Sequence, residues 1–345
     1  MISKIQKLSV FLIIIISLFG GCFEEKIVNS EYDFYVDDDY SATTKGYNET
    51  HFSSISNAIN KSFENATIYV YSGIYYEKII IEKTISLLGK NANTTFLDGR
   101  NCSDDIITIN GPTNVLITGF TFRNNAGEDK FYHNAAIDIR SDNNQIQKNI
   151  FINNTCGIYT RYSNANNVTK NKFMKSTEYG VYFHTGSNDN TITDNVFENN
   201  NYGLRIKGNS NCRASYNLFQ NNSHGIYLCC GANYNILYGN NFCNNTEWDA
   251  DDPYNNAWDT GTIPKAWFHN KDINIEKEVN ESAPFGNYWD AYHLPRQGAY
   301  DNNTDGIIDT SYNFPDGETP DSYPLAQPLE INNPFLPNKS QINCQ

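Results

Sequence analysis

Arg140, Arg161, His184 and Lys207 recur at intervals of 21, 23 and 23 residues, four side chains able to carry positive charge in a chain of net charge −14. Two positions before them stand Asp138, Tyr159, Tyr182 and Arg205, and the next step of 22 residues brings Tyr227 and Cys229 into the same two places. Guanidinium and ammonium groups recognise carboxylate and sulfate, and tyrosine rings offer flat amphipathic faces to sugars. If the repeat stacks these residues, they supply the chemistry for holding an acidic polysaccharide or cell-surface glycan. Like charges on neighbouring strands repel, and an extended polyanion would offset that repulsion. The competing reading is an ordinary solvated face with long side chains held apart in water. Catalysis is less well served. Glycoside hydrolysis needs two carboxyl groups about 5–10 Å apart, and Asp138 is the only acid in these two columns. A uronate lyase needs a base, for which Arg161 or Lys207 would serve, so elimination ranks above hydrolysis and neither ranks first.

Metal chemistry points to a different segment. In DNNTDGIID, Asp301, Asn303 and Asp305 alternate, Gly306 supplies the turn, the carbonyl of Ile307 falls at position seven and Asp309 at nine, the order of hard oxygen ligands in a calcium loop. Position twelve is Tyr312 rather than glutamate, which leaves Asp290 or Asp321 to close the shell. Copper needs sulfur or imidazole ligands, and the two methionines are Met1 and Met174 while the six histidines show no close spacing. Cys229 and Cys230 are adjacent, poor geometry for two ligands on one strand face. Cys212, one repeat earlier, is the expected disulfide partner of Cys230.

These columns need elements that return the chain to the same place every 22 to 24 residues. Gly157, Gly180, Gly203 and Gly225 each open an apolar, outward, apolar segment, and Asn149, Asn171, Asn195, Asn217 and Asn240 are each followed two residues later by phenylalanine. Three apolar segments per period, each too short for a helix, predict an all-β parallel β-helix, with coils about 4.8 Å apart and right-handed by the crossover rule. Stacked phenylalanines would form its core and stacked asparagines a hydrogen-bonded ladder. Upstream, Phe120 and Phe122 fit the asparagine and phenylalanine places. Phe52, Ile55, Ala58, Ile59 and Phe63 stand at helical spacing, predicting a short helix that covers the open first coil.

The YVDDDY opening, SGIYYEKIIIEKTISLLGK, the Asn-x-Phe coils and the closing GNYWDAY, DGIIDTSY and DSYPL together resemble the NosD-type β-helix family. That family carries the repeat named for carbohydrate-binding proteins and sugar hydrolases, within the pectin-lyase-like superfamily. The resemblance spans roughly residues 33 to 328 and implies a right-handed parallel β-helix on an exported protein. It constrains function weakly, because the family includes a copper-enzyme maturation factor, surface proteins and enzymes.

Residues 1–22 read as a secretory signal: Lys4 and Lys7, an apolar run, then Gly20, Gly21 and Cys22, a lipobox-like end that makes Cys22 the expected lipidation site. A linker and cap over 23–65, the β-helix over 66–250, a cap over 251–336 and a tail over 337–345 follow. The acidic balance argues against a nucleic-acid partner, and the membrane is reached through the lipid alone. Acidic-glycan binding therefore stands first, a structural or adhesive envelope role second, a lyase third and a copper accessory role fourth.

Overall fold

The asparagine of each Asn-x-Phe repeat lies at a corner of the coil. In the computed structural model, which describes residues 32–100, 104–126, 134–259, 284, 286–313, 319–336 and 344, the residue before each of these asparagines turns the chain in a left-handed conformation. Lys148, Lys170, Asp194, Tyr216 and Gly239 have φ between 54° and 64°. That conformation costs a non-glycine residue roughly 1–2 kcal/mol, and the ladder offsets it. Asn149 N–H donates to Asn171 Oδ1, and the series continues through Asn195, Asn217, Asn240 and Asn287, every step 2.9–3.0 Å. All six side chains are fully buried, so each unmade bond would cost about 1–3 kcal/mol. Phe120 takes the asparagine place one coil earlier, and its N–H also meets Asn149 Oδ1.

Two residues on, the aromatic column runs without a break. Phe122, Phe151, Phe173, Phe197, Phe219 and Phe242 are parallel-stacked with ring centroids 4.7–5.2 Å apart. Trp289 is the next ring, 4.4 Å beyond Phe242, and it pairs in register with it. GNYW thus repeats the corner of Asn-x-Phe with Trp289 in the phenylalanine place, so this tryptophan is part of the column rather than a plug above it.

Among the described residues the strands form three parallel sheets of ten, nine and eight strands. Within the solenoid body, neighbours in a sheet are three strands apart in sequence, which is the signature of a solenoid. The first sheet points Ile117, Ile146, Val168, Ile192, Ala214 and Leu237 inward, the second carries the aromatic column and the third holds the glycine-led strands. The fold is therefore the all-β parallel β-helix that the periodicity predicts.

The helix Ile55–Lys61 buries Ile55, Ala58 and Ile59 over the first coil. Glu77 caps it: its two carboxylate oxygens accept the Ile55 and Ser56 amides at 2.8 Å. The helix is shorter than the apolar spacing suggests, since Phe52 belongs to the strand His51–Phe52 and Phe63 lies beyond the helix end, 57% exposed. No helix among the described residues is long and apolar enough to cross a membrane. Cys22 and the signal segment lie outside the described residues.

The cysteine pairing differs from expectation. Cys212 and Cys230 are both free thiols, and the disulfide joins Cys243 to Cys344. Cys212 follows a corner and turns wholly inward, whereas Cys230 has φ 59° and faces solvent, so their side chains diverge.

Candidate functional site

Successive coils of the third sheet approach too closely at one position for any residue but glycine. A Cβ on Gly157, Gly180 or Gly203 would lie 2.4–2.7 Å from the carbonyl oxygen of the next coil and 2.7–2.8 Å from the Cδ1 of Phe173, Phe197 or Phe219. Any side chain there would force the coils apart, so the glycine period follows from core packing.

Beyond each glycine the strands alternate as expected. Asp138, Tyr159, Tyr182, Arg205 and Tyr227 face each other in continuous register on the outer side, and Asp251 follows. Arg161, His184 and Lys207 follow on consecutive coils, all half-buried, with Lys207 paired to Cys229. A further column appears at the residue before each glycine: Ala135, Cys156, Tyr179, Tyr202, His224 and Trp248 are in register. The repeat motif begins at glycine and so does not mark this column. Its signal was the aromatic residue preceding Gly180, Gly203 and, as histidine, Gly225.

Packing changes what these side chains can do. Tyr159 and Tyr182 are only 3% and 1% exposed. They pack edge to face against each other, Tyr182 packs edge to face and Tyr159 tilted against His184, so their faces are spent inside the aromatic layer. Tyr202 stacks on His224 at 4.2 Å, and Trp248 lies 5.7 Å from Tyr227, all four half-buried at the outer edge. Arg205 is held by this layer: its guanidinium lies over Tyr179, Tyr182 and Tyr227 at 4.8–5.4 Å, donates to Tyr179 Oη at 2.5 Å and approaches Cys229 Sγ at 3.5 Å. It organises the face more than it serves a ligand.

At the other end of the column, Asp138 has an acidic companion that the outward columns did not contain. Asp105, just before the strand Ile107–Asn110, lies close enough for Arg140 Nη2 to sit 2.6 Å from Asp138 and 3.7 Å from Asp105. Both acids are 4% exposed. Burial, and then the negative charge of Asp138, push the Asp105 carboxyl up to about 7. Burial also raises Asp138, against the pull of Arg140 and Arg161. Buried and bridged by arginine, the pair does not present a sugar with an acid and a base. Arg140, the first cation of the expected basic column, is thus neutralised from within. The column continues with Arg161, His184 and Lys207.

The acidic C-terminal loop is held by Asx turns. Asp305 N–H donates to Asp301 Oδ1 and Asn303 Oδ1 at 3.2 and 3.0 Å, Gly306 N–H to Asp301 Oδ2 at 3.0 Å, and Gly306 turns at φ 89°. Asp309 Oδ2 accepts from Asn302, and Ile307 bridges to Leu325. Tyr312, at position twelve, packs 4.7 Å from Trp289. Asp321 is fully buried, accepting from the Asn287 amide and Trp289 Nε1, and Asp290 accepts the Asn244 amide. The carboxylates expected to close the shell are therefore committed to the cap. Among the described residues, the three or more His, Cys, Asp or Glu side chains that converge within reach of one ion are Asp37, Asp38 and Asp39.

The family profile described as "Periplasmic copper-binding protein (NosD)" matches residues 59–294, more than half of the 345-residue chain. The chain belongs to the NosD family. Its members are periplasmic, an exported location, and this NosD-family chain is accordingly an extracellular or periplasmic β-helix protein. Solved structures similar to it include two of the catalytic domain of a GH87 alpha-1,3-glucanase in complex with nigerose. One is 16% identical with a TM-score of 0.43, over 65% of this chain and 41% of that one. The other is 17% identical with a TM-score of 0.40, over 62% and 46%. ORF18 of Geobacillus virus E2 is 13% identical with a TM-score of 0.35, over 59% and 56%. The chain spans less than half the length of the glucanase domains it resembles. No curated protein matches it.

Proposed function

We propose that this exported β-helix binds an acidic glycan along the outer face of its third sheet. The observation that carries the reading is the succession of Arg161, His184 and Lys207 on consecutive coils of a protein with net charge −14, with the half-buried rings of Tyr202, Tyr227 and Trp248 elsewhere on the same sheet. Cations at strand spacing repel one another, and a carboxylated or sulfated chain laid along the coils would neutralise them in sequence. The aromatic edge would stack on its sugar rings. Arg140 drops from the contact set because Asp138 and Asp105 already hold it.

The test is a glycan-array screen of the protein, comparing wild type with Arg161→Ala/Lys207→Ala. The expected result is selective capture of uronic or sulfated glycans, weakened about tenfold or more in the variant and by added salt. No capture, or capture unchanged in the variant, would leave a structural or adhesive envelope role in its place.

Calcium in the Asp301 to Asp309 loop belongs to the same reading, as a pin for the cap. With ligands at positions one, three, five, seven and nine and none at twelve, affinity should fall in the weak extracellular range, about 10⁻⁴–10⁻³ M. Calorimetric titration should register this and lose it in Asp301→Ala/Asp305→Ala. A silent wild-type titration would reject the site.

The copper chemistry of the family name finds no fitting set of donors among the described residues. Cys229 packs against Arg205 and stands two coils from the His184 level, roughly 10 Å away, and the converging acids are hard oxygen donors unsuited to a soft metal.

A further inference from the structure

The outer face of the first sheet changes character toward its N-terminal end. In the strands Gln145–Gln147, Asn167–Thr169 and Thr191–Thr193 its outward positions are glutamine, asparagine and threonine, an ordinary solvated surface, and the outward Ile236 and Tyr238 of the last strand are buried. In the first coils the same positions are aromatic. Tyr35 sits between buried Phe34 and Val36, and Tyr69 between buried Ile68 and Val70. The register places Tyr35 between His51 and Tyr69. Tyr32 stacks flat on Tyr69 at 4.6 Å, Tyr35 on His51 at 5.1 Å, and Tyr40 closes the group 5.2 Å from His51 and 6.3 Å from Tyr71. All six are half-buried. The core on the inner side is filled by Phe34, Val36, Ile68 and Val70, so these rings form a separate layer on the outer side, one that the three strands from Gln145 to Thr193 lack.

Charge narrows what such a platform would hold. The carboxylates of Asp37, Asp38 and Asp39 converge within 4.8 Å at its margin. Asp38 turns toward the second sheet, where it accepts the Ile74 amide at 3.3 Å. Asp37 acts on Tyr40: burial, then the charges of Tyr71 and Asp37, push the Tyr40 hydroxyl up to about 12. One cation is already seated there, Lys90 Nζ, 5.8 Å from the centroid of Tyr71. Tyrosine faces rimmed by carboxylates attract ammonium groups. The rings lie side by side on a sheet rather than around a cavity, which suits a chain of sugar rings better than a lone caged ammonium ion.

We propose that this aromatic and acidic platform is a second binding surface, separate from the third-sheet face, for an amine-bearing saccharide polymer. Exposed ammonium groups of the polymer would face Asp37 and Asp39 while its rings lie on Tyr40 and Tyr71.

The experiment is a calorimetric titration of the full chain with glucosamine oligomers and with their N-acetylated counterparts, on wild type, Tyr40→Ala/Tyr71→Ala and Asp37→Asn/Asp39→Asn. The glucosamine oligomer should bind wild type about fivefold or more tighter than the acetylated one, and both variants should weaken it about tenfold or more. Arg161→Ala/Lys207→Ala should leave it unchanged, which separates this surface from the third-sheet face. If the tyrosine variant does not fold, the aspartate variant, altered at the half-buried Asp37 and the exposed Asp39, decides. Absence of binding, equal affinity for the two oligomers, or unchanged affinity in the aspartate variant would overturn the proposal.

Discussion

At the scale of single residues, the decisive pair is Asp105 and Asp138. Burial and the neighbouring carboxyl raise Asp105 to about 7 from an ordinary 3.8, so the folded protein holds a proton that the unfolded chain releases. The stability this proton brings is complete below about pH 4 and is lost as the pH climbs through about 7. Urea unfolding at pH 5 and pH 8 should therefore show a loss on the order of 2–4 kcal/mol toward the alkaline side. That loss is the share of Asp105 alone: burial raises Asp249 and Asp321 to about 7 and Asp252 to about 6 in the same direction, so Asp105→Asn should make the slope shallower without abolishing it, and an unchanged slope would show that the other three set it. The same arginine that bridges the pair explains why Arg140 is a poor ligand contact despite its place in the column.

At the scale of elements, the glycine strand and the phenylalanine corner are one device. Gly180 is tolerated only as glycine because a Cβ would meet the Gly203 carbonyl at 2.6 Å and Phe197 at 2.7 Å. Gly180→Ala should cost about 1–3 kcal/mol by overpacking. Phe197→Ala should cost about 3–5 kcal/mol by leaving a hole between rings 4.9 and 4.7 Å away. Because the two side chains share one contact, the double variant should be less destabilised than the sum of the singles. Strict additivity in denaturant titrations would count against this coupling.

At the scale of the whole molecule, the C-terminal segment runs back across the outside of the second sheet. Asn241 exchanges hydrogen bonds with the Leu329 backbone at 2.7 and 2.9 Å, and Asn333 Nδ2 reaches the carbonyls of Asn171 and Asp194 at 2.9 and 2.8 Å. Ile331 is buried in one cluster with Val196, Leu218 and Leu325. This explains why Val196 and Leu218, on the outward side of their strands, are apolar. Cys243–Cys344 closes a sequence separation of 101 residues around that strap. Cys243→Ser/Cys344→Ser should lower unfolding stability by about 2–4 kcal/mol, with hydrogen exchange rising first over 325–336. Uniform exchange across the coils would mean that the strap is not a separate unit.

The sequence by itself determined the solenoid, because a core built one coil at a time must repeat its inward residues, and the Asn-x-Phe and glycine periods state where each falls. It also contained Asn287-x-Trp289 as a further corner, hidden only by the long interruption after Cys243. The calcium-like spacing and the outward basic positions were equally local, since strand alternation fixes a side chain's face. Tertiary structure alone decided which of those outward groups were already occupied. Asp105 met Asp138 and Arg140 across coils, Arg205 sank among tyrosines, Tyr159 and Tyr182 became buried, and Cys243 found Cys344. The Asp105 and Cys344 contacts join residues whose separation follows no period, while Arg205 and the tyrosines meet at the period itself and only side-chain packing decides that they are buried there.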